Sequence, residues 1–126
     1  MKQLIVENDI ITFEMEDGVI IGTFNSEFID FPMVDEITKI RLEIQKGEKY
    51  PLISNIRKVK NSTKEARDFM ASKAGCEGVI AAAILIDSGV ASMIGNFFTR
   101  ISKPLVPTRL FTDEKEAKKW LAKHIA

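Results

Sequence analysis

The sequence predicts an α/β fold: a single mixed sheet with an N-terminal antiparallel hairpin, then parallel strands, and about four helices packed on it. Three features carry that expectation. Asp17-Gly18 sits between two apolar runs, the strongest short-range signal for a tight hairpin. Val79–Ile86 is apolar at every position, as in a central strand covered on both faces. Elsewhere, strand-like runs alternate with segments of helical period, the order that yields neighbouring parallel strands joined by right-handed crossovers.

Taken in order, Ile11–Met15 and Val19–Phe24 form the arms of the hairpin, and the polar alternates of the first arm suit a half-exposed edge. A helix follows, capped by Asp30, with Pro32 in its first turn, an apolar stripe of Met33, Ile37, Ile40 and Ile44, and a stop at Gly47. Tyr50–Ile56 reads as a strand, with Pro51 near its start where a lost donor is tolerated. Ser62 with Glu65 three residues on fits a capping box that opens a second helix, whose apolar face is Ala66, Phe69, Met70 and Ala74. Gly75 and Gly78 bracket a turn into Val79–Ile86. The alanines of that run would also allow a helix, but its flanking glycines and its Ile and Val content favour a strand. Val90, Met93, Ile94, Phe97, Phe98 and Ile101 form the wide apolar face of a third helix, ended by Pro104 and Pro107. Thr108–Phe111 is a short last strand. Thr112 or Asp113 caps a final helix with the stripe Ala117, Trp120, Leu121 and His124, acidic at its start and lysine-rich later, which complements the helix dipole.

The 126 residues amount to one domain, spanning 1–126, with 45% hydrophobic and 29% charged residues, the balance of a globular chain. Eighteen Lys and Arg against 18 Asp and Glu leave no net charge to draw the chain to nucleic acid or an anionic membrane. A single cysteine, Cys76, forms no internal disulfide. The longest apolar run is far short of the ~20 residues that span a bilayer, and no signal peptide opens the chain, so a cytoplasmic location is the expectation.

Candidate chemistry is sparse. Cys76 and His124 would need hydrogen-bond contact to act as a nucleophile and base; the alternative is a small turn residue and a boundary side chain. One His and one Cys make no usual zinc site, and no glycine-rich phosphate loop occurs, so neither a metal nor a cofactor is expected. The basic cluster Arg57, Lys58, Lys60, Lys64 and Arg67 surrounds a strand exit and a helix start, where α/β sheets gather ligands. With Ser62 and Thr63 it is the candidate surface for a phosphate or an acidic partner. The alternative is a set of solvated lysines balanced by Glu65 and Asp68. Met93, Phe97 and Phe98 are the candidate hydrophobic interaction face, for a partner, a lipid or a twin subunit, unless they pack on the sheet as core.

Two stretches carry a family resemblance. One is the strand exit Leu52-Ile53-Ser54-Asn55-Ile56-Arg57-Lys58-Val59 with Thr63-Lys64-Glu65-Ala66-Arg67 at the following helix start. The other is Lys103-Pro104 followed by Arg109-Leu110-Phe111-Thr112-Asp113-Glu114 and the helix through Trp120-Leu121. In these and in element order the chain resembles the SpoIIAA-like branch of the STAS superfamily, small bacterial proteins related in fold to CRAL-TRIO lipid-transfer domains. In antagonist members a serine at the helix start after the third strand, within an Asp-Ser-Ser-Gly run, is phosphorylated by a partner kinase. Here Thr63 stands at the aspartate position, Lys64 and Glu65 replace the serines, and Ser62 lies one residue before. The resemblance therefore implies a non-enzymatic regulatory or protein-binding module without the aligned phospho-acceptor, with homodimerisation among its options. The alternative it offers is a binder of a lipid-like or other apolar small ligand.

Overall fold

The structure, a computed structural model, describes residues 1–87 and 105–125. Its main sheet contains β1 (Gln3–Glu7), β2 (Ile11–Glu16), β3 (Val19–Phe24), β5 (Tyr50–Asn55), β7 (Val79–Leu85) and β8 (Thr108–Phe111), in the order β1-β2-β3-β5-β7-β8. The first three are antiparallel, and β3, β5, β7 and β8 run parallel. The mixed sheet, its hairpin and its parallel run therefore match the sequence reading.

The hairpin turn forms because Asp17 (φ 53°) and Gly18 (φ 77°) both take left-handed backbone, the geometry that matches strand twist. β2 is not the sheet edge the sequence suggests. β1 pairs outside it through an irregular register between Leu4 and Val6, and Ile11 and Phe13 are buried. The short, largely exposed Gln3–Glu7 segment shows too little alternation to announce itself.

Helix α1 (Phe31–Gln45) is capped by the Asp30 carboxylate, which accepts from the Met33 amide at 3.1 Å. It ends at Lys46, in left-handed conformation, just before Gly47. Its stripe is rotated from the expected one: Val34, Ile37, Arg41 and Gln45 are buried, while Met33, Ile40 and Ile44 pack partly exposed at the flank. Helix α2 (Lys64–Ala71) is capped by Thr63, whose hydroxyl accepts from the Ala66 amide at 3.1 Å, rather than by Ser62. Ser62 instead belongs to a second, two-stranded parallel sheet of β4 (Phe28–Ile29) and β6 (Asn61–Ser62), where its backbone pairs with Ile29. This small ribbon corrects the single-sheet expectation. Ala74 lies beyond the helix, in the turn.

Helix α3 (Glu114–Ile125) begins after Asp113, whose carboxylate accepts from the Lys115 amide and whose carbonyl accepts from Ala117. Three helices are thus described where about four were expected; the helix read over Val90 to Ile101 lies outside the described residues. No helix among the described residues is long and apolar enough to cross a membrane.

The helices divide between the faces of the sheet. Val34 and Ile37 of α1 and Ala66 of α2 join Phe13, Ile20, Phe24 and Ile84 on one face. Ala117 and Leu121 of α3 join Val19, Ile21, Ile53, Ala81, Ala83 and Leu85 on the other. Over Ala83–Leu85 β7 is buried on both faces, and its alanines let α3 lie close. Lys118 fastens α3 to the hairpin by pairing with Glu16, and within α3 it also pairs with Glu114 at 3.4 Å.

Adjacent alanines of β7 should respond oppositely to enlargement. Ala83 is fully buried against α3, so Ala83→Leu should cost about 1–3 kcal/mol or more by overpacking. Ala82 points to the other face, beside open space described below, and Ala82→Leu should be near neutral. Denaturant melts of both variants check this, and equal losses would contradict the strand register.

Candidate functional site

The buried face of α1 carries two polar side chains where a helix stripe ordinarily carries apolar ones. Arg41 is 3% exposed and Gln45 is 2% exposed. Their partner is the turn between α2 and β7. Ser72 folds that turn by donating its hydroxyl to the Phe69 carbonyl (2.6 Å) and accepting from the Gly75 amide (3.2 Å). Gly75 passes so close to α2 that a Cβ there would lie 2.1 Å from the Phe69 oxygen. Gly78 is left-handed (φ +76°), and a Cβ on it would meet the Gln45 amide nitrogen at 2.7 Å. The two glycines thus let the turn present its carbonyls to α1 at close range.

Arg41 takes two of the carbonyls so presented and the Gln45 side-chain oxygen. Its Nη1 donates to Glu77 O (2.8 Å) and to Gln45 Oε1, and its Nη2 donates to Gly75 O (3.2 Å). Gln45 Nε2 donates to Gly78 O (2.9 Å) and Glu48 O (2.8 Å). Gly78 O also accepts from the Tyr50 amide, so the clamp sits where β5 and β7 begin side by side. Burial pushes the Arg41 pKa down, against an upward pull from Cys76 and Glu77. Burying a guanidinium costs several kcal/mol. Three charge-assisted hydrogen bonds, at about 1.5–3 kcal/mol each, are of the same order, so the clamp roughly balances.

Beside the clamp lies a cavity of about 570 Å³, between α1, α2 and the sheet. Phe13, Gly22, Phe24, Leu52, Ile56, Ala82, Ile84 and Leu110 supply a mostly apolar floor from five strands and the exit of β5. Val34, Ile37 and Met70 line it from the helices. The polar contributions are few: Arg41, Thr38, Ser54, Cys76, Thr108 and Arg109. Apolar walls with a small number of placed polar groups, at this volume, match the usual character of small-molecule sites, about 300–1,000 Å³. A second cavity, about 550 Å³, opens at the ends of β7 and β8 beside α3, among Arg109, Asp113, Glu116, Lys119 and Trp120.

The sequence-read surface is partly dispersed. Ser62, Thr63 and Arg67 do meet at the start of α2, but Arg67 Nη1 binds the Ser62 carbonyl (2.6 Å) and hydroxyl (3.2 Å), and Thr63 caps the helix. Lys64 pairs with Asp68 at 2.8 Å and Lys60 with Glu27 at 3.2 Å. Arg57 reaches the other way, to Thr112 O at 2.8 Å, and Lys58 is exposed. Met93, Phe97 and Phe98 lie outside the described residues. Cys76 lines the cavity on the α1/α2 face, whereas His124 stacks on Trp120 of α3 on the opposite face, so the two form no catalytic pair. Among the described residues no group of three or more His, Cys, Asp or Glu is placed to hold a metal ion.

The apolar stripe of Met33, Ile37, Ile40 and Ile44 does not include Arg41 and Gln45. The signal was present: Val34, Ile37, Arg41 and Gln45 keep helical spacing too, and only their polarity hides the face.

Replacing Gln45 by Leu should strip the Glu48 carbonyl of this donor and the Arg41 guanidinium of one acceptor, leaving Gly78 O only the Tyr50 amide, and cost about 2–4 kcal/mol, by the penalty for buried unsatisfied groups. Urea unfolding measures it, and an unchanged midpoint would mean the carbonyls find other donors.

No curated protein and no solved structure matches the chain. A family model described as a domain of unknown function, DUF7793, matches residues 13–125, from the second strand of the sheet to the end of α3. That match spans nearly the whole described fold, clamp and cavity included, and the chain therefore belongs to the DUF7793 family.

Proposed function

We propose that this domain is a non-enzymatic binding module that holds an apolar or amphipathic small ligand between the sheet and helices α1 and α2. The cavity carries this reading: its floor is apolar, its volume suits a small ligand, and its polar groups are few. The resemblance to STAS-type domains, with their CRAL-TRIO relatives, supports a binding role over a reaction centre. The separation of Cys76 from His124 supports it too, since it removes the one nucleophile–base pair the sequence offered.

A second reading, docking of an acidic protein partner, rests on a different observation. Phe28 is 47% exposed on the β4/β6 ribbon, and Arg57, Lys58 and Lys60 are exposed in the nearby strand exit. An exposed aromatic near cations is a common anchor for a partner surface.

Cys76 is a built-in reporter for the first reading, being the only cysteine and lining the cavity. The full chain is titrated with dodecanol, and Cys76 alkylation by iodoacetamide is followed by mass. Saturable binding that slows alkylation severalfold, and that Ala82→Trp blocks, is the expected result. A chain that binds no twelve-carbon ligand, and whose thiol reacts at one rate throughout, would end this reading. A partner lost on Phe28→Ser and Lys58→Glu, with ligand binding intact, would favour the second.

A further inference from the structure

We propose that the ligand of this cavity carries an anionic head, a carboxylate or phosphate monoester, bound by Arg41, with its apolar body on the floor of the sheet; this rests on the cavity being a ligand site. Arg41 is 97% removed from solvent, yet no carboxylate lies within ion-pair distance of it among the described residues. Its three acceptors, Gln45 Oε1, Glu77 O and Gly75 O, are all neutral. The exposed Glu77 carboxylate acts on it only from beyond contact. A guanidinium has five N–H donors, and the two bonds to the turn and one to Gln45 leave two for a ligand.

A buried cation held by neutral dipoles attracts an anion more strongly than a surface cation does, because little water screens it. The fork geometry of the guanidinium suits carboxylate and phosphate oxygens in particular. Thr38 is one helical turn from Arg41 and also lines the cavity, but its hydroxyl hydrogen goes to Val34 O at 2.8 Å, so it faces a ligand as an acceptor. Arg41 is therefore the one cation of α1 in the cavity wall, while the floor that Phe13, Leu52 and Ile84 provide takes the chain. Arg109 lines the same cavity from β8, but its guanidinium lies over the Phe111 ring, 5.2 Å from the centroid, toward the opposite face.

The test compares dodecanoate, dodecyl phosphate and dodecanol by calorimetry on the full chain, below their micelle concentrations. At least one anion should bind about 10- to 100-fold more tightly than the alcohol, the scale of a hydrogen bond to a charged group. Arg41→Lys should retain the preference and Arg41→Met should abolish it, the anions then binding no more tightly than dodecanol. Should Arg41→Met not fold, the wild-type chain still decides: the ¹³C carboxyl signal of bound dodecanoate should keep its ionised shift to lower pH than free dodecanoate. Equal affinity for alcohol and anions, or a bound carboxylate that protonates at higher pH than the free acid, would overturn the anionic head while leaving the cavity reading standing. Binding of none of the three would remove the cavity reading itself. Between the two heads, the tighter anion identifies the source chemistry.

Discussion

The clamp of Arg41 and Gln45 on the carbonyls of the 72–78 turn is the contact that most of this architecture hangs on. The turn is where the chain leaves α2 and enters β7, the strand between β5 and β8. Because Gly78 O serves both Gln45 and the Tyr50 amide, one carbonyl ties α1 to the starts of two adjacent parallel strands. Parallel strands begin far apart in sequence and have no hairpin to set their register. A buried polar network can set it, since its hydrogen bonds are directional where apolar packing is not. The residues that reach the turn are long and flexible, and two of the three carbonyls they reach belong to Gly75 and Gly78, where a Cβ would meet Phe69 O and Gln45 Nε2, so the approach is close without a steric conflict.

The two faces of the sheet have been packed by different rules. Toward α3, Ala81, Ala83 and Ala117 are small and fully buried, and the helix lies close with Leu121 as the bulky contact. Toward α1 and α2, larger side chains stand around a gap of about 570 Å³. Gly22 contributes to that gap from β3, where the Phe13 ring on the paired strand comes so near that a Cβ would lie 2.9 Å from it. One face thus holds the domain together and the other leaves room, and the polar clamp stands at the border of the room.

The basic residues near the start of α2 illustrate how far residue type alone can be trusted. Arg57, Lys60, Lys64 and Arg67 are close in sequence, and each is engaged locally: by Thr112 O, Glu27, Asp68 and the Ser62 backbone respectively. A cluster in the sequence became a set of separate pairings, one of them within α2, with Lys58 left to solvent. The buried polar groups lie elsewhere, on α1, where Arg41 and Gln45 share the inner face with Val34 and Ile37.

Local signals were sufficient for much of this chain. Asp17-Gly18 specifies its turn, Asp30 its helix cap, Thr112 and Asp113 between them the start of the last helix, Thr108–Phe111 its strand, and the unbroken apolar character of Val79–Ile86 a strand inside the sheet, formed over Val79–Leu85. Each of these depends on the backbone or on burial within a few residues, which sequence periodicity reports directly. What needed the tertiary structure were the features that depend on a distant partner: β1 as the true edge, the β4/β6 ribbon that takes Ser62 from its cap, and above all the burial of Arg41 and Gln45. A polar side chain goes inside only where acceptors await it, and those acceptors are carbonyls more than 30 residues away, invisible until the chain has closed on itself.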